Sequence, residues 1–267
     1  MKHSEYESCP VGVLDSGLGG LSVLKALRAA LPAEDFIYCA DCGNAPWGDR
    51  SNAFIIDRCR RIVTWLIARG AKAVVLACNT ATAAAADTLR NEFSLPIIGI
   101  EPAVKPAARL SVTRTIGVLA TTRTIQSERY AKLVKRFADD CHIISIAAPG
   151  LMECVERGDF QSPKTLDLLR QYLTPMVNAK ADTLVLGCTH YPFLTSAILS
   201  IAPSMQVIEP GAAVAAVLRD RLQQRDALHK TEHQGTEYFY IKDCPHHELV
   251  LRHLWTHCLI KPEELAA

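Results

Sequence analysis

The sequence predicts an α/β protein with two similar domains, each built around a parallel sheet. Short apolar runs rich in β-branched residues alternate with segments of helical periodicity along the 267 residues. This alternation is typical of parallel α/β units. In addition, similar motifs recur at one spacing in the two halves of the chain, which indicates an internal duplication.

The first half opens with a strand, "VGVLD" (Val11–Asp15), followed by a glycine turn and an amphipathic helix, "LSVLKALRAAL". The next predicted elements are a strand at 35–41, a helix at 53–70, a strand at 71–78, a helix at 81–93 and a strand at 95–100. Gly70 is a good end for the second helix, because glycine commonly terminates helices. The strands show little polar alternation, which predicts sheets covered on both faces.

The second half repeats this order, with predicted strands at 115–121, 141–149, 182–188 and 205–210 and helices from Ser127 and at 166–177. "VVLACNTATAA" parallels "LVLGCTHYPFL", with Cys78 and Cys188 lying 110 positions apart. "PIIGIEPAV" parallels "MQVIEPGAA", and "VGVLDSGLGG" parallels "IGVLATTRTI", at nearly the same offset. The chain is therefore predicted to form a discontinuous first domain, 1–100 with 211–267, and a second domain, 101–210, related by pseudo-twofold symmetry.

The charge balance excludes several kinds of partner. The formal net charge is +1 with both signs mixed along the chain, so no strong field attracts nucleic acid. No apolar run is long enough to span a bilayer, and the polar start "MKHSEYESCP" lacks a secretory apolar region. We therefore expect a cytoplasmic protein with no nucleic-acid or membrane partner.

The carboxyl ends of the predicted strands carry polar residues and two cysteines. Ligands of parallel sheets bind outside these ends, and Asp15, Asp41, Cys78 and Cys188 all fall there. Two such edges facing each other would enclose a cleft with a cysteine on each wall. A thiol with a pKa near ~8.5 can serve as base or acid. Two thiols on opposite faces of a tetrahedral carbon could therefore remove a proton on one side and deliver one on the other.

Short hydrogen-bonding residues flank the two cysteines. They are Ser16, Asn79, Thr80 and Thr189. With helix N-terminal amides they suit a substrate carboxylate, although Asn79 and Thr189 could instead be plain helix N-caps. Asp15 and His190 could hold an ammonium group or relay protons; a purely structural histidine is the alternative for His190.

Four motifs together closely resemble the glutamate racemase family: "VLDSGLGGLSVL", "ACNTATA", "GIEPAVKPA" and "LGCTHYPFL". The resemblance covers nearly the whole chain and is most specific in the order and separation of "CNTA" and "GCTHYP". It implies two α/β domains with the active site between them. It also implies cofactor-independent interconversion of L- and D-glutamate, with D-glutamate supplied to peptidoglycan. A homodimer is plausible for the family.

The resemblance also implies roles for individual residues. Cys78 and Cys188 match the cysteines that act on the two faces of the substrate, with Asp15 and His190 as proton-handling helpers. Glu156 in "CVERGDF" resembles a family glutamate near the second cysteine, although Glu153 lies close by. The implied substrate contacts are Asp15, Ser16, Asn79, Thr80, Thr189 and His190, together with Trp47 and Gly48.

Trp47 is a departure, because the family usually has "PYG" where this chain has "PWG". If the Trp47 side chain contacts substrate, its bulk and its single N–H donor could change the substrate preference. If only the backbone contacts the substrate carboxylate, little changes. We favour backbone contact because Gly48, which permits close approach, is retained.

Other motifs carry weaker alternatives. "GLGGLS" imitates a nicotinamide-binding turn, but Ser22 replaces the third glycine and Asp15 would repel a pyrophosphate. "CADC" (Cys39–Cys42) lacks a second pair and is interpreted as free thiols. The tail holds Cys244, His246, His247, His253, His257 and Cys258 without a recognised zinc spacing, so no metal is assigned.

Two alternatives to glutamate racemisation remain open. One is a racemase for another amino acid, such as aspartate. The other is a non-catalytic amino-acid-binding module, although a binding module has no need of reactive thiols on both walls.

Overall fold

A computed structural model describes residues 8–137, 139–229, 232–241, 245–255 and 259–260 of the chain. The contacts divide it into two compact units. Unit 1 comprises the described residues of Met1–Ile100 and Gly211–Ala267, and unit 2 comprises those of Glu101–Pro210. Among the described helices, none combines the length and apolar character needed to cross a membrane.

Unit 1 begins with strictly alternating strands and helices. In chain order these are β1 (Val11–Asp15), α1 (Leu21–Ala30), β2 (Phe36–Ala40), α2 (Asn52–Ala68), β3 (Ala73–Leu76), α3 (Asn79–Glu92) and β4 (Ile97–Ile98). Two short 3₁₀ turns, Cys42–Asn44 and Trp47–Asp49, lie between β2 and α2. The residues of β1, β2, β3 and β4 are all buried, as expected for a sheet covered on both faces.

Unit 2 follows with the same alternation. Its elements are α4 (Val104–Leu110), β5 (Thr115–Ala120), α5 (Thr122–Gln126), α6 (Glu128–Lys135), β6 (His142–Ala147), α7 (Leu151–Glu156), α8 (Pro163–Asn178), β7 (Thr183–Gly187), α9 (Thr195–Ile201) and β8 (Gln206–Ile208). A 3₁₀ helix, Tyr191–Leu194, precedes α9. The core of this unit packs α8 and α9 against the central strands.

The chain then returns to unit 1 through α10 (Gly211–Gln223), β9 (Glu237–Ile241), α11 (Pro245–Leu254) and β10 (Leu259–Ile260). The sheet of unit 1 has the strand order β10-β9-β2-β1-β3-β4, and the sheet of unit 2 has the order β6-β5-β7-β8. Every strand pair in both sheets is parallel. The prediction of two parallel-sheet α/β domains is therefore confirmed.

The two sheets share one topology. In both, the first strand lies between the second and the third, and the fourth pairs with the third. β1 therefore corresponds to β5, and β3 to β7. The correspondence places Cys78 and Cys188 at equivalent positions, each just after the third strand of its sheet. This shared order is what a duplication would produce.

The predicted strands and helices are present with small shifts at their ends. α3 begins at Asn79 rather than Ala81, because the side chain of Cys78 caps it. Further helices and strands lie outside the predicted set, notably α4, α7, α9, α10 and β9. α4, α7 and α9 are seven residues or shorter, so their apolar periodicity is too brief to recognise.

A buried ion pair fixes the segment between β2 and α2. Arg58 of α2 donates to both carboxylate oxygens of Asp41, at 3.0 and 2.7 Å. The Asp41 side chain is fully buried, and this bidentate partner satisfies both of its oxygens. Asn44 also donates to Asp41. The pair therefore anchors the 3₁₀ segment that leads to Trp47.

Candidate active site

The carboxyl ends of β1 and β3 lie side by side and bring Asp15, Ser16 and Cys78 together in unit 1. Leu14 pairs with Leu76 across the two strands, and Ser16 and Cys78 follow shortly after. The Ser16 hydroxyl lies 3.6 Å from the Cys78 sulfur. All three residues are buried. The sequence prediction that they share one sheet edge is thus matched by the geometry.

Asp15 is held by the glycine turn that follows β1. Its Oδ2 accepts a hydrogen bond from the Gly17 amide at 3.1 Å. A Cβ at Gly20 would lie 2.7 Å from the Asp15 Cβ and 2.9 Å from the Tyr38 hydroxyl. Gly20 is therefore needed so that the turn can pack closely around Asp15. This packing accounts for the glycine without a bound pyrophosphate, as a nicotinamide-binding turn would have.

Cys78 is the N-cap of α3. Its sulfur accepts a hydrogen bond from the Ala81 amide at 3.4 Å. A helix N-terminus favours negative charge, so this position stabilises a thiolate relative to a thiol. The residue is 6% exposed, so little solvent reaches its sulfur.

Asn79 and Thr80 occupy the first turn of α3 and are buried. Among the described residues, neither the oxygen nor the nitrogen of the Asn79 side-chain amide has a hydrogen-bond partner. The alternative interpretation of Asn79 as an N-cap is therefore wrong, because Cys78 fills that position. A buried, unpaired amide costs ~1–3 kcal/mol, and a bound ligand could satisfy it.

Trp47 and Gly48 lie in the second 3₁₀ turn of unit 1. The Trp47 ring is 1% exposed and packs in the same apolar cluster as Cys59 and Cys78. Its indole nitrogen has no hydrogen-bond partner among the described residues. At Gly48, an added Cβ would meet no atom within 4 Å, so there is open space beside its Cα.

In unit 2, Cys188 follows β7 directly and is joined by Thr189, His190 and Glu156. Nδ1 of His190 lies 3.6 Å from the Cys188 sulfur, and its Nε2 lies 2.5 Å from Oε1 of Glu156. Glu156 is the last residue of α7. Thr189 is buried in the turn before the 3₁₀ helix and is the N-cap of no described helix. The side chains of Glu156, His190 and Cys188 thus form a hydrogen-bonded series from carboxylate to imidazole to sulfur.

The Cys188–His190–Glu156 chain favours an imidazolium. Burial alone would lower the pKa of His190, but its hydrogen bonds to Cys188 and Glu156, and their negative charges, raise that pKa well above the ordinary value. A protonated His190 donates from both ring nitrogens, to the sulfur and to the carboxylate. This places a positive charge beside the Cys188 sulfur.

Glu156, and not Glu153, contacts His190. Oε2 of Glu153 is buried with no hydrogen-bond partner among the described residues. The two glutamates lie three positions apart on α7, so they share one side of the helix. The packing of α7 against the turn at Cys188 determines that Glu156 rather than Glu153 contacts the imidazole.

Two other cysteines in unit 1, Cys39 and Cys59, are buried in settings that disfavour a thiolate. Cys39 and Cys42 are free thiols, as interpreted from "CADC". Burial raises the pKa values of Cys39 and Cys59 well above the usual thiol range. Of the cysteines and histidines noted in the tail, His246, His247 and His253 lie in α11, and only His253 has a described side chain. Cys244, His257 and Cys258 lie outside the described residues.

Comparison with known proteins identifies the class. The Asp/Glu/Hydantoin racemase family model matches residues 12–218. The glutamate racemase of Ectopseudomonas mendocina is 49% identical over 91% of this chain and 93% of its own length. The chain therefore belongs to the Asp/Glu/hydantoin racemase family, and within it to the glutamate racemases.

Solved structures agree with this assignment. Glutamate racemase from Francisella tularensis in complex with D-glutamate is 28% identical with a TM-score of 0.83, covering 97% of this chain and 99% of that one. The Escherichia coli glutamate racemase in complex with L-glutamate and the activator UDP-MurNAc-Ala is 33% identical with a TM-score of 0.83, covering 94% and 97%. Membership of this family makes the chain an isomerase.

The local environments predict an order of thiol reactivity. We expect iodoacetamide at neutral pH to alkylate Cys78 and Cys188 at least roughly tenfold faster than Cys39 and Cys59, because burial raises the pKa values of Cys39 and Cys59, whereas Cys78 caps a helix and Cys188 lies beside His190. Peptide mapping by mass spectrometry over a time course measures all four rates in one sample. Equal rates for the four thiols would contradict the proposed activation of Cys78 and Cys188.

Proposed function

We propose that this protein interconverts L- and D-glutamate by a two-base mechanism in which Cys78 and Cys188 exchange a proton with the substrate α-carbon. The observation that carries the proposal is the pair of cysteines at equivalent strand ends, each beside its own thiolate-stabilising group. For Cys78 this group is the N-terminus of α3, and for Cys188 it is His190 held by Glu156.

The proton balance of the reaction needs no cofactor. One cysteine begins as a thiolate and removes the α-proton, becoming a thiol while a carbanion forms. The other begins as a thiol, donates its proton to the opposite face of that carbanion and becomes a thiolate. The reverse direction exchanges the two roles. The mechanism requires both sulfur atoms to reach the same α-carbon from opposite sides.

Neighbouring residues are proposed to bind and orient the substrate. Ser16, Asn79, Thr80 and Thr189 provide short hydrogen-bonding side chains for its carboxylates, and the backbone at Trp47 and Gly48 provides further contacts. The unpaired amide of Asn79 supports this role. Asp15 is proposed to hold the substrate ammonium group or to assist proton transfer at Cys78. His190, oriented by Glu156, is proposed to assist proton transfer at Cys188.

The assignment of glutamate rests on the relatives. The Ectopseudomonas mendocina protein carries that activity in its name, and two similar structures contain D- and L-glutamate. Trp47 does not weaken the assignment, because its ring packs in the apolar cluster. We further propose that the product D-glutamate supplies peptidoglycan synthesis in the cytoplasm. The proposed assembly is a homodimer, which sedimentation equilibrium tests.

The mechanism predicts a one-sided isotope pattern. When L-glutamate is converted in D₂O, the D-glutamate formed first should carry deuterium while the unreacted L-glutamate does not, because separate groups serve the two faces. Chiral chromatography with mass spectrometry measures both enantiomers at early times. No exchange into either enantiomer would indicate the binding module, and a preference for aspartate would indicate the other racemase.

Each reactive thiol should be essential. Cys78→Ser and Cys188→Ser are each expected to lower kcat for racemisation by roughly 10²-fold or more, since each removes an acid–base group. Cys39→Ala and Cys141→Ala are matched controls at buried thiols with no proposed role, and should keep near wild-type rates. Full activity in either serine variant would refute the two-base assignment.

The Glu156 carboxylate, which hydrogen-bonds His190, should determine the pH above which activity is lost. Glu156→Gln keeps a hydrogen-bond acceptor but removes the negative charge, so the pKa of His190 should fall and the imidazolium should be lost at lower pH. We expect kcat to drop and the alkaline limb of its pH profile to move to lower pH. Glu153→Gln, three positions away, should leave the profile unchanged. A profile for Glu156→Gln that overlays the wild type would contradict this role.

One cavity of unit 1 supports a regulatory proposal. The end of α3, the residues up to Gly99 and the second half of α10 line a cavity of about 560 Å³ that contains Arg90, Arg221 and Arg225. Guanidinium groups bind phosphate oxygens well. The Escherichia coli relative was crystallised with the activator UDP-MurNAc-Ala. We propose that this cavity binds a phosphorylated activator of the same class.

The double variant Arg221→Ala/Arg225→Ala tests this regulation. Initial rates with and without UDP-MurNAc-Ala should show activation of the wild type and at least roughly tenfold weaker response in the variant, with basal rates unchanged. Arg170→Ala, an exposed arginine of unit 2, is the control. An unchanged response of the variant, or no response of the wild type, would refute the proposal.

A further inference from the structure

Two histidines and an aspartate meet at the edge of unit 1 opposite its reactive thiol. Asp35 directly precedes β2, His229 follows α10, and His233 lies shortly before β9. One ligand atom from each of these side chains lies within 4.8 Å of the other two. The group sits at the amino ends of β2 and β9, whereas Asp15 and Cys78 lie at the carboxyl ends of the same sheet. It therefore has no part in the proposed racemisation.

The arrangement of the donor atoms is close to that of a metal site. His233 Nε2 lies 3.1 Å from Asp35 Oδ1, near the ~3.3 Å that separates two ligands around a tetrahedral Zn²⁺. The rings of His229 and His233 stack with their centroids 4.0 Å apart and their planes 21° apart. Parallel rings from one short stretch of chain can therefore direct nitrogens toward the same point as the carboxylate.

The backbone around these residues is fixed on several sides. Asp35 Oδ1 accepts hydrogen bonds from the amide and hydroxyl of Thr236, at 2.7 and 2.8 Å. The His229 amide donates to the Glu34 carboxylate at 2.7 Å. A Cβ at Gly235 would lie 2.0 Å from the Glu34 carbonyl oxygen, so this close approach requires glycine. Preorganised side chains of this kind favour specific coordination.

The site also has a route for an ion and an available carboxylate oxygen. The side chain of His233 is 36% exposed and that of Asp35 is 19% exposed. The hydrogen bonds of Asp35 all use Oδ1, so among the described residues Oδ2 makes none. Two imidazoles and one carboxylate form a donor set that suits Zn²⁺ and its first-row neighbours better than Mg²⁺ or Ca²⁺.

We propose that Asp35, His229 and His233 bind one Zn²⁺ ion, which ties the chain after α10 to the amino end of β2. Spacing in the sequence assigns no such site, because Asp35 lies almost 200 residues from the histidines. Three protein ligands leave a fourth position for water. The ion would add a cross-link between two parts of unit 1 that are distant in the sequence, and would reinforce the existing pairing of β2 with β9.

Co²⁺ and Ni²⁺ are suitable probes, because the many cysteines of the chain could also bind Zn²⁺. After chelator treatment, Co²⁺ should give visible d–d bands with one equivalent bound and no thiolate charge-transfer band, because no sulfur is among the proposed ligands. Ni²⁺ titrated calorimetrically should bind with a stoichiometry of one and raise Tm. Thiolate ligation of Co²⁺ would overturn the proposal.

Substitution of the two proposed histidine ligands tests where the ion binds. His229→Ala and His233→Ala should each weaken Ni²⁺ affinity at least roughly tenfold and abolish the rise in Tm, whereas His142→Ala, at an exposed histidine of unit 2, should change neither. If a variant does not fold, carbethoxylation of the wild type decides: Zn²⁺ should protect His229 and His233, and not His142, from modification. Unchanged affinity in both variants, or absence of that selective protection, would overturn the proposal.

Discussion

Parallel pairing of the first and third strands is the constraint on which both candidate half-sites depend. In unit 1 this pairing aligns the ends of β1 and β3, so that Ser16 lies beside Cys78. In unit 2, β5 and β7 pair in the same way, and Cys188 follows β7 at the equivalent place. A shift of one residue in either register would turn every side chain of a strand to the other face. The close packing of the buried side chains of β1, β3 and β7 against their neighbours opposes that shift.

The two units would support the proposed thiol chemistry by different means. Cys78 lies at the start of α3, where the Ala81 amide donates to its sulfur, whereas Cys188 precedes a 3₁₀ helix and has His190 and Glu156 beside it. A helix dipole does not titrate, but an imidazolium does. The two thiols should therefore respond differently to pH, although a racemase must work equally at both faces. This asymmetry could not be deduced from the likeness of the two motifs.

Much of the fold was predictable because its signals are local. Apolar runs such as "VVLAC" and "LVLGC" mark the central strands, and the repeated motifs indicate that the two sheets share an order. The parallel topology then places strand-end residues on one edge without further information. Short elements such as α7 and α9 were not predicted, since a few residues show little periodicity.

Features that depend on tertiary packing could not be predicted from the sequence pattern. The cap of α3 is a cysteine rather than the more usual asparagine next to it, because the strand end places the sulfur over the helix amides. The choice of Glu156 over Glu153 depends on how α7 packs. The grouping of Asp35 with His229 and His233 depends on the pairing of β2 with β9, which joins distant parts of the chain.

A crystal structure with bound glutamate tests the central claim most directly. The two-base mechanism predicts the sulfur atoms of Cys78 and Cys188 on opposite sides of the substrate α-carbon, each within roughly 4 Å, which is near the separation that reacting atoms need. It also predicts that the Asn79 amide hydrogen-bonds the substrate. Glutamate bound with only one of the two sulfur atoms near its α-carbon, or bound elsewhere, would contradict the mechanism.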